Sequence, residues 1–311
     1  MNSFVLSALI RTGVIEAIGA GNATPDAIAQ ACGVHRDVLR RTLRYASQLD
    51  LVSAQGDHFT LTEVGRCFLK DSPGSLYGSA SFIGAPPWRD SWIAFEHCLR
   101  TGGPAFDHVF KQPFFQFLAS NEEYGKPFDR YMTAMSAGMA PAIVEAYDFS
   151  PFATMCDVGG GQGILLKAIL SRTPAVKGIL FDMATTTTSN VLGEVSDRVS
   201  IVNGSFFDPL PIADLMVLKT VIHDWNDEDS IRILSRCRES LRPGGKILLV
   251  EQVVEEPFTQ FALFYDLHMQ VMLGGAERTA QEFEGLFRRA GLKLGRILPT
   301  KSPMKIIEAV L

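Results

Sequence analysis

The chain has 311 residues, 47% of them apolar and 20% charged, which is enough for two domains with cores of their own and excludes disorder of the chain as a whole. Its formal net charge of −5 excludes a general nucleic-acid binder or a protein held to an anionic membrane surface, since both need clustered positive charge. Small molecules are the partners that remain. The five cysteines, Cys32, Cys67, Cys98, Cys156 and Cys237, are scattered and never spaced as C-x-x-C, so they read as reduced thiols of a cytoplasmic protein. Phe4 to Ile10 is apolar but lacks a basic segment before it and a cleavage site after it, and no stretch approaches the length of a membrane span.

Residues 1 to about 70 are predicted helical. Leu6, Leu9, Ile10, Ile15 and Ile18 put apolar side chains on more than one face of the opening segment, so it needs cover, and a partner subunit is the expected one. Thr24-Pro25-Asp26 starts a helix, with Thr24 as cap and Pro25 at the first helical position. Two amphipathic helices joined around Gly33 follow, and then Asp57 to Thr62 reads as a hairpin strand; helix, turn, helix, hairpin is a winged-helix pattern. Arg36, Arg40, Arg41 and Arg44 lie on what would be a DNA-recognition helix. Residues 1 to 70 hold seven Lys or Arg against six Asp or Glu, however, so nucleic acid is an unfavoured partner.

Leu76 to Tyr147 is rich in aromatic and methionine side chains, most of them expected in helical core and a minority expected to line a pocket for a planar apolar molecule. Trp88, Met132 and Met135 from this stretch, with Asp266, Met269 and Met272 from a later one, are the candidate acceptor contacts. Pro151 marks a domain boundary near residue 150. Met155 to Gly163, M-C-D-V-G-G-G-Q-G, then reads as strand, tight turn and helix start. A fixed carboxylate at Asp157 would repel a pyrophosphate but attract a sulfonium or ammonium group, which favours S-adenosylmethionine over a dinucleotide. Asp182 ends the next predicted strand, Ile179 to Asp182, where an acid can meet ribose hydroxyls. Val199 to Asn203, Leu215 to Lys219 and Lys246 to Glu251 continue the strands, with a helix over Ser230 to Leu241 that Arg242-Pro-Gly-Gly ends. This alternation predicts a parallel, doubly wound α/β sheet in which Asp157, Asp182, Ser205, His223 and Glu251 share one cleft at the strand ends.

His223 is the candidate general base. A hydroxyl must lose its proton as it attacks a sulfonium methyl group, and a neutral imidazole is suited to accept it. Such a base works best with a carboxylate on its other nitrogen, for which Glu251 and Glu277 are candidates. The sequence shows no cluster with metal-ligand spacing, so the expectation is metal-independent transfer.

The ordered blocks D-V-G-G-G-Q-G, F-D, G-S-F-F-D-P-L-P-I-A-D, L-K-T-V-I-H-D-W-N-D-E-D, R-P-G-G-K-I-L-L-V-E and G-G-A-E-R-T-A-Q-E-F resemble the S-adenosylmethionine-dependent O-methyltransferases of the caffeate and hydroxyindole type, which include bacterial enzymes of antibiotic and pigment biosynthesis. The likeness covers nearly the whole chain. It implies a class I methyltransferase: a Rossmann-like sheet of seven strands, the last antiparallel, over residues 151–311. A mostly α-helical winged-helix dimerisation domain precedes it over 1–75, with a helical linker that contributes to the substrate pocket over 76–150. It also implies a homodimer formed through the N-terminal domain, and methyl transfer to a hydroxyl of a small aromatic acceptor with S-adenosylhomocysteine as product. By position, Gly159 would contact the cofactor's amino-acid part, with Asp157 and Gly161 in the same turn. Asp182 would meet the ribose, Ser205 and Phe206 the adenine region and Lys219 the cofactor edge, while His223 would be the base between Glu251 and Glu277. Ser205 stands where the family usually has Asp, which gives up a charge-assisted hydrogen bond to the adenosine. Met183-Ala184 replaces the usual Leu-Pro. Some bacterial relatives bind the same cofactor yet hydroxylate their substrate, so such a hydroxylase is the first alternative, beside a DNA-binding regulator and methylation at nitrogen or carbon.

Overall fold

The computed structural model describes residues 2–72 and 75–311; Met1, Pro73 and Gly74, within the segment expected to form the winged helix, lie outside the described residues. Two compact units are present, the residues up to Ile93 with Glu123–Ala134, and Ala94–Glu122 with Met135–Leu311.

In the first unit, α1 (Asn2–Arg11) and α2 (Val14–Gly19) precede α3 (Pro25–Cys32) and α4 (Arg36–Gln48), the hairpin β1 (Val52–Gln55) and β2 (His58–Leu61), and α5 (Glu63–Arg66). The caps follow the sequence: the Thr24 side chain accepts the Ala27 N–H at the start of α3, and Gly33 takes φ +64 at its end, a conformation that favours glycine. α6 (Tyr77–Ile83), α7 (Pro86–Ile93) and part of the long α11 (Glu122–Ala146) complete the unit. Leu9, Ile10, Ile15 and Ile18 are buried with Ile28, Leu43 and Phe59, and Leu6 packs partly buried against them. This corrects the expectation of a partner subunit as their cover, because the unit's own core already buries them. Two of the four arginines of α4 meet acids: Arg36 pairs with Asp26 and Asp37, and Arg40 with Asp57 at 2.8 Å.

The second unit begins with α8 (Phe95–Thr101), α9 (Ala105–Phe110) and α10 (Phe114–Ser120), where Phe106 stacks on Phe110 with ring centroids 4.6 Å apart and meets Phe114 edge-on. The end of α11 leads to the sheet. Its strands are β3 (Thr154–Val158), β4 (Lys177–Asp182), β5 (Val199–Asn203), β6 (Ala213–Lys219), β7 (Leu241–Glu251), β8 (Lys293–Pro299) and β9 (Lys305–Val310). They lie in the order β5-β4-β3-β6-β7-β9-β8, with β3 to β7 parallel and β9 antiparallel to both its neighbours. The strand order reverses between β3 and β6, the switch point where α/β sheets bind ligands. Helices α12 (Ile164–Arg172), α13 (Ala184–Thr187), α14 (Asp227–Glu239), α15 (Gln260–Leu273) and α16 (Ala280–Arg289) connect the strands and cover the faces. Helix α14 is displaced from its predicted span. The Asn226 side chain caps it early by accepting the Asp229 N–H, and Leu241, pairing with Ala213, already belongs to β7, so Arg242-Pro-Gly-Gly lies in a strand. The threonine tract forms α13, tied down by a hydrogen bond from Thr187 Oγ1 to Asn203 Oδ1.

Candidate active site

The turn after β3 is held tightly against the next strand of the switch point. Gly159 and Gly161 take φ +69 and +60, and a Cβ on Gly159 would lie 2.8 Å from Val221 Cγ2. Glycine is therefore required there for both conformation and space. Asp182 supports the turn, since its Oδ2 accepts the Gly161 N–H at 2.8 Å and its Oδ1 that of Met183. Burial raises its pKa. Asp157 is 1% exposed and its Oδ2 has no hydrogen-bond partner. Burial, opposed by Lys219 and reinforced by Asp182, pushes its carboxyl up to about 7. Lys219 donates to Thr220 Oγ1 at 3.0 Å, and burial lowers its pKa against the attraction of Asp157, Glu251 and Asp224. Ser205 is exposed and its hydroxyl accepts the Phe207 N–H, while the half-buried Phe206 ring faces Gly159. Trp225 packs against Phe206 and Phe207, with ring centroids 5.5 and 5.0 Å away, and against Phe115.

His223 sits in a short 3-10 turn, Ile222–Asp224, just past β6. The chain bends there through Thr220 at φ +51, a strained left-handed conformation for a β-branched residue. The bend aims the Val221 and Ile222 N–H groups at Glu251 Oε1, at 3.0 and 2.9 Å. Glu251 is fully buried, and its other oxygen lies 3.7 Å from His223 Nδ1. Nδ1 donates to Glu277 Oε1 at 2.8 Å, and Nε2 lies 3.3 Å from Asp224 Oδ1. Burial opposes a charge on the ring, but Glu251, Asp224 and Glu277 together outweigh it and lift His223 to about 10. Burial in turn raises Asp224 to about 7 and raises Glu251, each against the attraction of His223. His223 Nδ1 and one oxygen each of Glu251 and Glu277 lie within 4.8 Å of one another, a compactness that no linear spacing in the sequence announces.

The loop that carries Glu277 is seated on the His223 turn by backbone contacts. Ala276 N–H donates to His223 O at 3.0 Å, Glu277 N–H to Asp266 Oδ1 at 3.0 Å, and a Cβ on Gly275 would fall 2.0 Å from His223 O. Arg278, 3% exposed, ties the turn from behind by donating to the carbonyls of Ile222 and Trp225 and to Asp227. Arg278 and Asp224 were not singled out from the sequence, although both stand inside the motif blocks, because only the fold reveals their burial. Of the candidate acceptor contacts, Asp266 joins the site through Glu277. Met269 and Met272 are buried on α15, Met135 is partly buried on α11, and Trp88 and Met132 belong to the other unit. His268 on α15 is buried, and burial with the nearby His223 lowers it to about 3, so it stays neutral.

A doubly wound seven-stranded sheet with one antiparallel strand, a glycine turn at its switch point and acids at the ends of β3 and β4 is the class I methyltransferase architecture. The family model of the O-methyltransferase domain matches residues 92–293, and that of the O-methyltransferase dimerisation domain matches residues 1–71. The chain is 36% identical over 308 residues to the phenazine O-methyltransferase PhzM of Lysobacter antibioticus, covering 96% of this chain and 89% of that protein. It is 30% identical over 316 residues to the 8-amino-8-demethylriboflavin N,N-dimethyltransferase of Streptomyces davaonensis, covering 98% and 91%. Among solved structures, an O-methyltransferase from neocarzinostatin biosynthesis, in complex with S-adenosyl-L-homocysteine and 1,4-dihydroxy-2-naphthoic acid, matches with a TM-score of 0.89 at 29% identity over 99% of this chain and 95% of that one. The chain belongs to the O-methyltransferase family, dimerisation domain included.

Proposed function

We propose that this O-methyltransferase moves the methyl group of S-adenosylmethionine to a hydroxyl of a small, planar aromatic acceptor of secondary metabolism, with His223 as general base in an in-line displacement. The observation that carries this reading is the buried imidazole whose Nδ1–H is fixed by Glu277 at 2.8 Å, which directs Nε2 chemistry at the switch point of the sheet. The residues fit the cofactor. Asp157 presents a buried carboxylate oxygen without a partner, and Gly159 and Gly161 form a turn that carries no side chains of its own. Asp157, Gly159 and Gly161 would hold the amino-acid part and its cationic groups, Asp182 the ribose, Ser205 and Phe206 the adenine region, and Lys219 the cofactor edge. When bound, the cofactor supplies a methyl group made electrophilic by its sulfonium.

The protein's own contribution is proton management and position. Nε2 takes the acceptor's hydroxyl proton as the oxygen attacks, and Glu251 and Glu277 stabilise the imidazolium that results. Glu251 is itself held by two backbone N–H groups, so it adds charge without needing to move. Trp225 meets Phe206 and Phe207 edge-on and stacks on Phe115, an apolar aromatic cluster beside the His223 turn. The proposal includes a homodimer formed through the N-terminal domain and metal-independent chemistry. No helix among the described residues is long and apolar enough to cross a membrane, and all five cysteines are free thiols, which suits a reducing cytoplasm.

The test is incubation of the purified protein with S-adenosylmethionine and a panel of hydroxylated aromatics, following product mass and S-adenosylhomocysteine release. A methylated product with matching release supports the transferase, and unchanged rates in a chelator support metal independence. An oxygen-added product points to the hydroxylase alternative. The relationship to an N,N-dimethyltransferase gives methylation at nitrogen a specific footing, so the panel includes arylamines; turnover of amines alone would replace the hydroxyl in this reading.

A further inference from the structure

A general base must begin the step with Nε2 unprotonated, yet both ring nitrogens of His223 face carboxylates, Nδ1 at 2.8 Å from Glu277 and Nε2 at 3.3 Å from Asp224. That arrangement suits an imidazolium. The groups around the ring make the same case from each element packed against it. Asp224 on its own turn, Glu251 at the end of β7 and Glu277 before α16 favour the charge, while burial opposes it; His268 of α15, held neutral by burial and by His223, adds no charge. Arg278 is engaged with the carbonyls of Ile222, Ala276 and Trp225 and with Asp227, and Asp266 with the Glu277 N–H. Lys219, at the end of β6, interacts with Asp224 and Glu251 on the histidine side and with Asp157 on the cofactor side. Asp157 in turn feels Asp182 at the end of β4. The two halves of the site are thus one buried electrostatic unit, in which charges are poorly screened.

We propose that Asp224 is a positioning residue that holds a proton on His223 Nε2 between turnovers, and that this proton leaves the buried cluster as the sulfonium enters. The inference rests on the reading of the site as one for S-adenosylmethionine. Charge balance drives it. The donor brings a fixed positive charge into the unit, whereas S-adenosylhomocysteine, with a neutral sulfur, does not. In the transfer the C–S bond breaks, the C–O bond forms, the sulfonium charge disappears and the acceptor's proton passes to Nε2. The positive charge therefore moves within the cluster and is not created or lost there. Asp224 then stabilises Nε2–H until the next donor displaces the proton to solvent.

Isothermal titration of the full-length protein with each ligand, in two buffers of different ionisation enthalpy near pH 7.5, counts the protons released. The donor is expected to release about one proton more than the product does, and its affinity relative to the product's to rise about tenfold per pH unit. His223→Gln erases that difference. Asp224→Asn, whose amide cannot hold the imidazolium, reduces it below about half a proton, and Asp224→Glu, which keeps the charge, restores it. Equal proton counts for the two ligands in the wild type, or a full difference surviving in Asp224→Asn, overturn the proposal while leaving the cofactor reading intact. Failure of both ligands to bind would instead remove the cofactor reading and the proposal with it.

Discussion

Glu251 is fully buried and its Oε1 is already committed to the Val221 and Ile222 N–H groups, so what it offers His223 is a fixed charge. Removal of the base itself, in His223→Ala, is expected to lower kcat for methyl transfer by roughly 10²–10⁴ while the donor still binds by titration calorimetry. Full activity in that variant would end the base assignment. Asp157 tests a different property of the same site, a carboxyl stored at a cost in stability. Its folded pKa, about 7, lies above its unfolded value of 3.8. The fold therefore favours the neutral form: the penalty is absent below the unfolded value and complete once the pH has risen through the folded one. Asp157→Asn should accordingly stabilise the ligand-free protein by about 1–2 kcal/mol at pH 8, a gain that shrinks as pH falls, and should weaken donor binding. Thermal melts across pH with and without donor read both effects; a destabilised variant at pH 8 would refute the argument. At this scale the sequence revealed residue types but not burial. Glu251 could equally have been a solvated strand end, and its exclusion from water depends on β9 pairing with β7 more than fifty residues later. Glu277, 54 positions from His223, stood beside Glu251 as a candidate partner, and no local pattern could say which of the two lies at 2.8 Å.

Between elements, the loop from Gly274 to Arg278 decides how α15 and α16 deliver Glu277 to the turn past β6. Its fit leaves no room at Gly275, where a Cβ would meet His223 O at 2.0 Å and Asp224 C at 2.6 Å. Gly275→Ala must push the loop away, carrying Glu277 with it. The expected result is a loss in kcat of roughly 10²-fold with donor affinity largely kept, and about 1–3 kcal/mol less stability. Steady-state kinetics beside urea denaturation would show it, and an unchanged kcat would mean that the Glu277 contact is dispensable. Helix ends were legible elsewhere in the chain from their caps, as at Thr24 and Gly33. The start of α14 was not, because the Asn226 cap competes with an apolar pattern that begins later, and Arg242-Pro-Gly-Gly looks like a stop signal although it forms the irregular stretch of β7 between the pairs Ala213–Leu241 and Leu215–Lys246.

For the whole molecule, the dimerisation domain and the paired arginines of α4 give a joint expectation. Sedimentation velocity should report twice the 34.1 kDa chain mass, and duplex DNA should show no retention in a low-salt mobility shift. Arg36 and Arg40 are already paired with Asp26, Asp37 and Asp57, which leaves Arg41 and Arg44 as the helix's remaining cations to release counterions. A monomer at micromolar concentration would overturn the dimer, and salt-sensitive DNA binding would reopen the regulator alternative. The doubly wound sheet was readable at this scale because its five parallel strands follow in chain order with helices in all but the β5–β6 connection. The place of the last two strands was not, since β9 reaches its neighbours by inserting and not by adding to an edge.

That insertion bears on how the protein is made. β9 (Lys305–Val310) lies between β7 and β8, so until its six residues have left the ribosome β7 has an unpaired edge beside Glu251 and β8 has no neighbour at all. During synthesis the nascent chain carries an open, apolar strand edge, the kind of surface that chaperones cover and that aggregates seed on. The N-terminal unit is free to fold in the meantime, whereas Glu251 gains its cover on this side only once β9 has paired with β7.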